Sequence, residues 1–259
     1  MDSRLELLLP TLLPIAGGPF AMGTPEAELS GLAKRYGGTR ESYREEAPRH
    51  TPFLAPFAIA QVPTTNALYA RYVAATGAPA PLRWRGPQPP SELHTHPVVD
   101  VSWEEAVAFC AWLSDECGLG FRLPSEAEWE RAARGLDGRT FPWGDSFDPA
   151  LANTREGGCG GTAPVGSYPN GASPDGVYDM AGNIWEWTAS LDAPYPYAPG
   201  DGREGAGAGA GRRIMRGGCY ANPQGYARCA CRFRLAPALR NEFTGFRLAL
   251  SRPPERSAP

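Results

Sequence analysis

Residues 99–135 read VDVSWEEAVAFCAWLSDECGLGFRLPSEAEWERAARG and carry the same helix-start signal twice. The pattern Ser-x-x-Glu occurs at 102–105 and again at 125–128. In such a capping box the serine and the glutamate each satisfy a backbone N–H group that the first helical turn leaves free. Gly118 and Gly135 follow where helices commonly end. The stretch therefore predicts two helices in succession.

The rest of the chain predicts short elements separated by irregular stretches. A third helix is expected between Thr65 and Gly77. The 31 Gly and 28 Pro residues favour a loop-rich fold with modest regular structure. No internal repeat or linker is evident, so we expect an α+β fold in a single domain over residues 1–259. Strands are expected at 12–22, 51–60, 178–190, 212–218 and 244–250.

Composition and charge argue against several classes of function. A formal net charge of −3 provides no basic field, which argues against nucleic-acid binding. No apolar run approaches the roughly 20 residues needed to span a bilayer. Asp2 and Glu6 precede the N-terminal apolar run and Pro10 and Pro14 interrupt it, unlike a signal peptide. We expect a cytoplasmic monomer. The basic residues are almost all Arg, a bias that a thermophilic source would tolerate.

The stretch DGVYDMAGNIWEWT, residues 175–188, allows two interpretations. Alternating side chains predict a strand, and the simpler interpretation is that Trp185 and Trp187 both belong to the core. The other interpretation is that Asn183, Glu186 and nearby carbonyl groups bind a hard cation such as Ca²⁺, which prefers oxygen ligands. Spacing alone favours the core interpretation.

The C-terminal stretch RGGCYANPQGYARCACRFRLAPALRNEFTGFRLAL, residues 216–250, contains three of the six cysteines. Cys229 and Cys231 point to the same side if the chain is extended, and two thiolates could then hold a soft metal. Arg228 and Arg232 could lower the pKa of these thiols. The alternative is that the cysteines are simply small side chains on a surface strand.

The motifs together resemble the formylglycine-generating enzyme (sulfatase-modifying factor) family. The resemblance is carried, in the family's order from about residue 13 to 250, by PIAGGPFAMGT, HPVVDVSWEEAVAFCAWLS, FRLPSEAEWERAARG, FPWGD, GTAPVGSYPNGASPDGVYDMAGNIWEWT, RGG and GFRLAL. It implies a C-type-lectin-like fold of that family's subtype, loop-rich, with short strands and two main helices.

The resemblance does not carry over the catalytic residues. The family's enzymes oxidise a sulfatase cysteine to formylglycine with O2 and a copper ion held by two cysteines. Counted from Gly217 and Gly218, those two positions fall at Asn222 and near Ala227, and neither is a cysteine. No copper is therefore expected. An oxidase with displaced thiols, which would use Cys229 and Cys231, remains an alternative.

The resemblance carries over the family's calcium sites only in part. Asn153 matches one ligand position of the first site, but the acidic partner expected near Gly157 is missing. Asn183 and Glu186 match the second site better. A structural calcium ion is therefore expected at these residues.

Some members of the family are variable proteins of diversity-generating retroelements, and the C-terminal stretch resembles their variable segment. In those proteins the segment is mutated at the adenines of a template rich in Asn codons. Mutating the first two bases of AAC yields Ala, Cys, Phe, Gly, Leu, Asn and Tyr among others, and never a stop codon. The interspersed residues fit that set, except that Gln224 and Glu242 need another codon. The frame residues are Arg216, Gly217, Gly218, Pro223, Arg228, Ala230, Arg232, Pro237, Arg240, Gly245, Phe246 and Arg247.

This resemblance implies a non-catalytic, receptor-like binding protein whose segment 216–250 displays variable side chains to a protein or other macromolecular ligand. A non-catalytic scaffold is a further alternative. The frame residues should be buried or hydrogen-bonded, and the variable residues should share one exposed face. The candidate ligand-binding residues are Cys219, Tyr220, Ala221, Asn222, Gln224, Gly225, Tyr226, Cys229, Cys231, Phe233, Leu235, Ala236, Ala238, Leu239, Asn241, Glu242 and Phe243.

Overall fold

A computed structural model of the protein describes residues 3–205 and 211–251. It confirms an α+β organisation with many loops. The helices are α1 (Ser3–Glu6), α2 (Leu29–Tyr36), α3 (Asn66–Thr76), α4 (Trp103–Cys117) and α5 (Glu126–Arg134). The strands are β1 (Leu12–Ile15), β2 (Gly18–Pro19), β3 (Phe53–Leu54), β4 (Phe57–Ala60), β5 (Phe121–Arg122), β6 (Trp185–Leu191), β7 (Arg213–Arg216), β8 (Phe233–Leu235), β9 (Thr244–Phe246) and β10 (Ala249–Leu250).

The predicted helices form where their capping signals place them. Ser102 and Ser125 each accept a hydrogen bond from the backbone N–H three residues later, and the glutamate at that position accepts one in return. These capping boxes begin α4 and α5. Thr65 caps α3 in the same way, and Gly77 ends it in the left-handed conformation that favours glycine. The structure also contains α2, in the polar stretch between β2 and β3.

The strands form two sheets of four and one of two. The first sheet has the order β1-β4-β10-β5 and is antiparallel, so the N-terminal and C-terminal strands flank β4. The second four-stranded sheet has the order β8-β7-β6-β9, with β6 and β9 parallel. Strands β2 and β3 form a small separate pair. The second sheet contains strands β8 and β9 of segment 216–250, and β10 of the segment belongs to the first sheet.

Two predicted N-terminal strands are each interrupted, and the predicted strand at 244–250 is divided between β9 and β10, which belong to different sheets. The stretch 12–22 forms β1 and β2, and the stretch 51–60 forms β3 and β4. The two breaks face one another, because a Cβ on Gly17 would lie 2.7 Å from both the Leu54 carbonyl oxygen and the Pro56 ring. Pro56 also has no N–H to donate to a neighbouring strand. The two chain segments therefore pass close to each other here, and the pairing of their strands is interrupted.

The helices enclose a core that is apolar around α3 and α4 and ionic around α5. Tyr69 of α3 stacks on Phe109 of α4 with 5.4 Å between ring centroids. Every residue of α5 is buried, including its three glutamates and two arginines. Buried charges need partners. Two of these partners, Arg216 and Arg232, come from segment 216–250, and others come from elsewhere in the chain: Arg122, Asp175 and Arg203. In the described part of the chain, no helix is long and apolar enough to span a bilayer.

Candidate ligand-binding site

The candidate residues separate into an exposed and a buried group. Tyr226, Phe233 and Leu239 expose 42%, 43% and 50% of their surface, unusually large fractions for such side chains. Five candidates are buried. Those at least partly exposed are Ala221, Asn222, Gln224, Tyr226, Phe233, Leu235, Ala236, Ala238, Leu239, Asn241, Glu242 and Phe243.

The structure brings four aromatic candidates together around one tryptophan of β6. The Trp185 ring stacks on Phe233 at 5.3 Å and meets Tyr226 edge-on at 6.2 Å. The Trp185 N–H donates to the Phe243 carbonyl at 2.7 Å, and the Phe243 ring packs against Tyr220 at 5.4 Å. These five residues form what we call the aromatic cluster. The interpretation of Trp185 as a core residue is confirmed by its burial, but its contact with these candidate side chains was not predicted.

A loop outside segment 216–250 borders the aromatic cluster. Arg83 lies 3.5 Å from the Glu242 carboxylate, and its charge acts on the Tyr220 hydroxyl. The neighbouring Leu82 is highly exposed. The backbone of Leu82 is fixed by a 2.6 Å hydrogen bond from its N–H to Asp100. No sequence motif indicated this border, because it lies in an irregular, Pro-rich stretch.

Residues 236–239 lie beyond β8, and no ring or hydrogen-bond contact joins them to the aromatic cluster. The Ala236 carbonyl accepts a hydrogen bond from the Leu239 N–H at 3.0 Å, which closes a turn. The Pro237 carbonyl accepts one from Trp103 at the start of α4. Ala236, Ala238 and Leu239 are exposed on this turn, so they extend the exposed set along the segment.

Five candidate residues were predicted to be exposed, and this was wrong, because the structure buries them: Cys219, Tyr220, Gly225, Cys229 and Cys231. A Cβ on Gly225 would lie 2.9 Å from the Cβ of Tyr36, so a larger residue has no room there. Tyr220 takes part in the cluster only through its packing against Phe243. The other three are thiols inside the fold.

The buried thiols are in their neutral form near neutral pH. Burial raises the pKa of Cys229 to about 12 and that of Cys231 to about 12. The flanking arginines do not reverse this, contrary to the sequence expectation, because each is committed to a carboxylate. Arg228 pairs with Glu46, and Arg232 pairs with a carboxylate of α5. The C-A-C stretch therefore lacks the accessible thiolate that nucleophilic or metal chemistry requires.

The two positions that resemble the family's copper ligands hold no thiolates. The Asn222 side-chain oxygen accepts hydrogen bonds from the Cys219 N–H and from its thiol, both at 3.1 Å. Ala227 is buried. An amide oxygen that caps a turn and a methyl group do not supply the soft donors that copper of this kind prefers. The donor set does not fit a two-cysteine copper centre.

Four arginines predicted to be frame residues are buried and anchor segment 216–250 through ion pairs, as expected. Arg228 donates to both oxygens of Glu46, at 2.7 and 2.8 Å, and to the Gly225 carbonyl. Glu46 lies 182 residues earlier in the chain. A bidentate pair of this kind is strong and fixes orientation. The pair ties the segment to the stretch that follows α2.

Two more arginines join the segment to α5. Arg232 donates to both oxygens of Glu126, at 2.8 and 3.0 Å. Arg216 pairs with Glu130 and also donates to the Cys229 carbonyl at 2.8 Å. These bonds contribute to the burial of a helix as charged as α5. Segment 216–250 supplies two guanidinium groups to Glu126 and Glu130, while Arg122 and Arg203 supply others from outside the segment.

The fourth buried arginine, Arg247, anchors the C-terminal end of the segment. Arg247 donates to Glu186 at 2.6 and 2.7 Å and to the Ala60 carbonyl at 3.0 Å. Nearby, a Cβ on Gly245 would lie 2.1 Å from the Val98 carbonyl oxygen. Gly245 therefore allows two segments of the chain to approach closely, and it is not needed for a tight turn. Partly exposed Arg240 pairs with Glu105 of α4.

The Asn residues predicted to bind calcium are hydrogen-bonded to their own surroundings. The Asn183 side-chain oxygen accepts from the Ala163 N–H at 2.9 Å and from the Asn153 amide at 3.2 Å. The Asn153 amide also donates to the Gly161 carbonyl at 2.9 Å. The Asn153 side-chain oxygen is buried and has no hydrogen-bond partner among the described residues. It is the only oxygen of this pair left for a cation.

Glu186 is fully buried and its carboxylate is already bonded. It accepts from the Trp129 indole at 2.8 Å as well as from Arg247. Sequence analysis overlooked Asp179 in the same motif, a buried carboxyl whose pKa burial raises to about 6. Within residues 3–205 and 211–251, no group of three or more His, Cys, Asp or Glu side chains could hold a metal. Calcium binding stays a prediction.

The fold and the site define a class of protein: a C-type-lectin-like α+β domain whose C-terminal segment is fixed by buried ion pairs and exposes aromatic side chains. The family model that describes a sulfatase-modifying factor enzyme 1-like domain matches residues 2–252. The chain belongs to this family. The resemblance recognised in the sequence is thereby confirmed.

Relatives in this family include enzymes and a protein named inactive. The chain is 35% identical to the formylglycine-generating enzyme of Streptomyces coelicolor over 91% of this chain and 87% of the enzyme. It is 36% identical to the inactive C-alpha-formylglycine-generating enzyme 2 of Bos taurus over 66% of this chain and 58% of that protein. Family membership alone therefore does not decide between catalysis and binding.

Solved structures share the whole fold. PvdO from Pseudomonas aeruginosa superposes with a TM-score of 0.75 and 31% identity, covering 93% of this chain and 94% of PvdO. Treponema denticola variable protein 1 superposes with a TM-score of 0.72 and 24% identity, with the same coverage of the two chains. At that identity the second similarity shows the fold alone.

Proposed function

We propose that the protein is a non-catalytic ligand-binding protein whose segment 216–250 is diversified by a retroelement. One observation carries the proposal. Within this segment the frame arginines Arg216, Arg228, Arg232 and Arg247 are buried and paired, while most of the interspersed residues reach the surface. Side chains that project into solvent can vary without disturbing the core, whereas buried positions respond to a single methylene.

The composition of the exposed set suits the recognition of a macromolecule. Tyr226, Phe233 and Phe243 gather around Trp185. Aromatic side chains provide large contact areas at low entropic cost, as they do in antibody paratopes. Contiguous exposed apolar surface on a folded protein commonly marks an interaction site. The ligand is proposed to be a protein or another macromolecule, bound by a monomer.

A display library tests this function. One library randomises Ala221, Tyr226, Phe233 and Leu239, and a control library randomises the four buried arginines. Both are panned against one purified test protein after sorting for protease resistance. The proposal predicts folded binders from the first library and almost no folded members from the control. Failure of the first library to yield folded members would contradict it.

The catalytic alternative rests on identity to formylglycine-generating enzymes. It is tested by incubating the protein with copper, O2 and a sulfatase-type peptide containing C-x-P-x-R. We expect no mass change at the peptide cysteine, because Asn222 and Ala227 stand at the positions of the copper ligands. Turnover that Cys229→Ser or Cys231→Ser abolishes would favour an oxidase with displaced thiols. A scaffold would show neither turnover nor selectable binding at the exposed positions.

A further inference from the structure

A small apolar pocket lies between α4 and β5, and none of its lining residues belongs to the aromatic cluster. Its volume is about 270 Å³, just below the roughly 300–1,000 Å³ of pockets that take drug-sized ligands. That size suits a molecule built on one ring. Its apolar walls include Trp103, Val107, Ala111, Phe121 and Leu123.

One carboxylate, Glu204, faces this apolar pocket. Its Oε1 accepts hydrogen bonds from the Ser190 hydroxyl at 2.7 Å and from the Tyr197 hydroxyl at 2.9 Å. Its Oε2 is buried and has no hydrogen-bond partner in the part of the chain that the structure describes. A buried acceptor left unbonded is costly, because it has given up its hydrogen bonds to water. A donor on a ligand would remove that cost.

The basic groups near the pocket are already engaged. Arg122 donates to both oxygens of Glu128, at 2.6 and 2.7 Å. The Arg213 guanidinium lies 3.8 Å above the Trp103 ring and donates to the Ala189 carbonyl at 2.8 Å. An anionic ligand would have to displace one of these partners, whereas a cation would meet the open oxygen of Glu204.

We propose that this pocket binds a small molecule that combines one apolar ring with a protonated amine. The ring lies against Trp103 and Val107, and the amine donates to Glu204 Oε2. Burial of the ring supplies the apolar part of the affinity, and the charge-assisted hydrogen bond selects the amine. The proposal is independent of the function proposed for segment 216–250.

The test compares three probes with the same ring, benzylamine, benzyl alcohol and benzoate, titrated at neutral pH and followed by two-dimensional NMR. We expect saturable shifts around Trp103, with benzylamine binding best, then the alcohol, then benzoate. Glu204→Gln should weaken benzylamine about tenfold, the size of one charge-assisted hydrogen bond, and should leave benzyl alcohol nearly unchanged.

A second variant keeps the test decisive if Glu204→Gln folds poorly. Ala111 is exposed on α4 and lines the pocket. Ala111→Leu should fill the pocket, abolish binding of all three probes and leave the unfolding midpoint unchanged. Tighter binding of benzoate than of benzylamine would overturn the proposal. So would the absence of saturable binding, or binding that persists unchanged in Ala111→Leu.

Discussion

Adjacent residues of segment 216–250 differ sharply in their surroundings. Arg232 is buried and bonded to Glu126, whereas Phe233, the next residue, exposes nearly half of its surface. The same contrast separates Arg228 from Tyr226, two positions earlier. The buried arginines fix the backbone through ion pairs, and the exposed aromatic side chains are accessible to a ligand. The comparison shows how a segment can vary in sequence while its path stays constant.

The largest expected effect comes from removing a frame arginine. Arg247→Met leaves the Glu186 carboxylate buried and deprived of its main partner, which typically costs about 3–5 kcal/mol. Urea denaturation should show this loss in the free energy of unfolding. Arg212→Met is the matched control: Arg212 pairs with Asp192 at the surface, and exposed pairs contribute only about 0–1 kcal/mol. Similar losses of unfolding free energy in both variants would contradict the division of the segment into buried frame residues and exposed display residues.

The next largest difference in stability is expected between substitutions of a buried aromatic residue and of exposed ones. Trp187 of β6 is fully buried and its indole donates to the Val101 carbonyl at 3.0 Å. Trp187→Ala should cost about 3–5 kcal/mol, as large-to-small changes in a core do. Phe233→Ala and Tyr226→Ala should each cost less than about 1 kcal/mol, the range of surface substitutions. Equal large losses by denaturation would show that the segment is core and not display surface.

Two positions that the sequence assigned to the same variable set should differ moderately in the stability cost of a substitution. Gly225→Leu meets the Tyr36 side chain, and overpacking of this kind costs about 1–3 kcal/mol. Ala221→Leu projects into solvent and should change stability by no more than about 0.5 kcal/mol. Thermal unfolding of both variants measures the difference. Tolerance of Leu at both sites would mean that burial does not limit diversification here.

A loss of stability at alkaline pH is expected from the buried thiols. Folding raises the pKa of Cys229 to about 12 because burial disfavours the thiolate. The stability held by the neutral thiol is therefore complete below the unfolded value of about 8.5 and is lost as pH rises towards 12. Cys229→Ala should flatten the fall in stability between these pH values. An unchanged slope would show that this thiol titrates normally.

Labelling with iodoacetamide at pH 8 gives an independent check. Exposed Cys159 should react first, and Cys229 and Cys231 should react only on unfolding. Mass spectrometry of the peptides identifies each site. Rapid modification of either buried cysteine in folded protein would contradict the assignment of these thiols to the interior and would reopen the oxidase alternative.

Local signals in the sequence predicted much of the fold. The capping boxes at Ser102 and Ser125 and the cap at Thr65 placed three helices, because capping depends on residues within one turn. The interruptions in the N-terminal strands were not predicted, since they depend on Gly17 meeting Leu54 across the fold. The burial of α5 was equally invisible, because its ionic partners lie up to 106 residues away.

The candidate site was predicted in outline and corrected in detail. A codon-based pattern selected residues by identity, so it placed exposed Phe233 and buried Cys231 in one set. Only tertiary packing separates them. Trp185 and Arg83 were missed because they lie outside the segment and meet it in space. Glu186 was considered as a calcium ligand, whereas its surroundings show a buried ion pair with Arg247.

The DNA around the gene provides the most direct test of the central claim. The account predicts a reverse-transcriptase gene and a near-repeat of codons 216–250 that differs from the gene mainly at adenines. The differences should fall on codons for exposed residues such as Ala221, Tyr226 and Phe233, and should spare those for Arg228 and Arg232. No such repeat, or differences spread equally over the codons of the frame residues, would contradict the account.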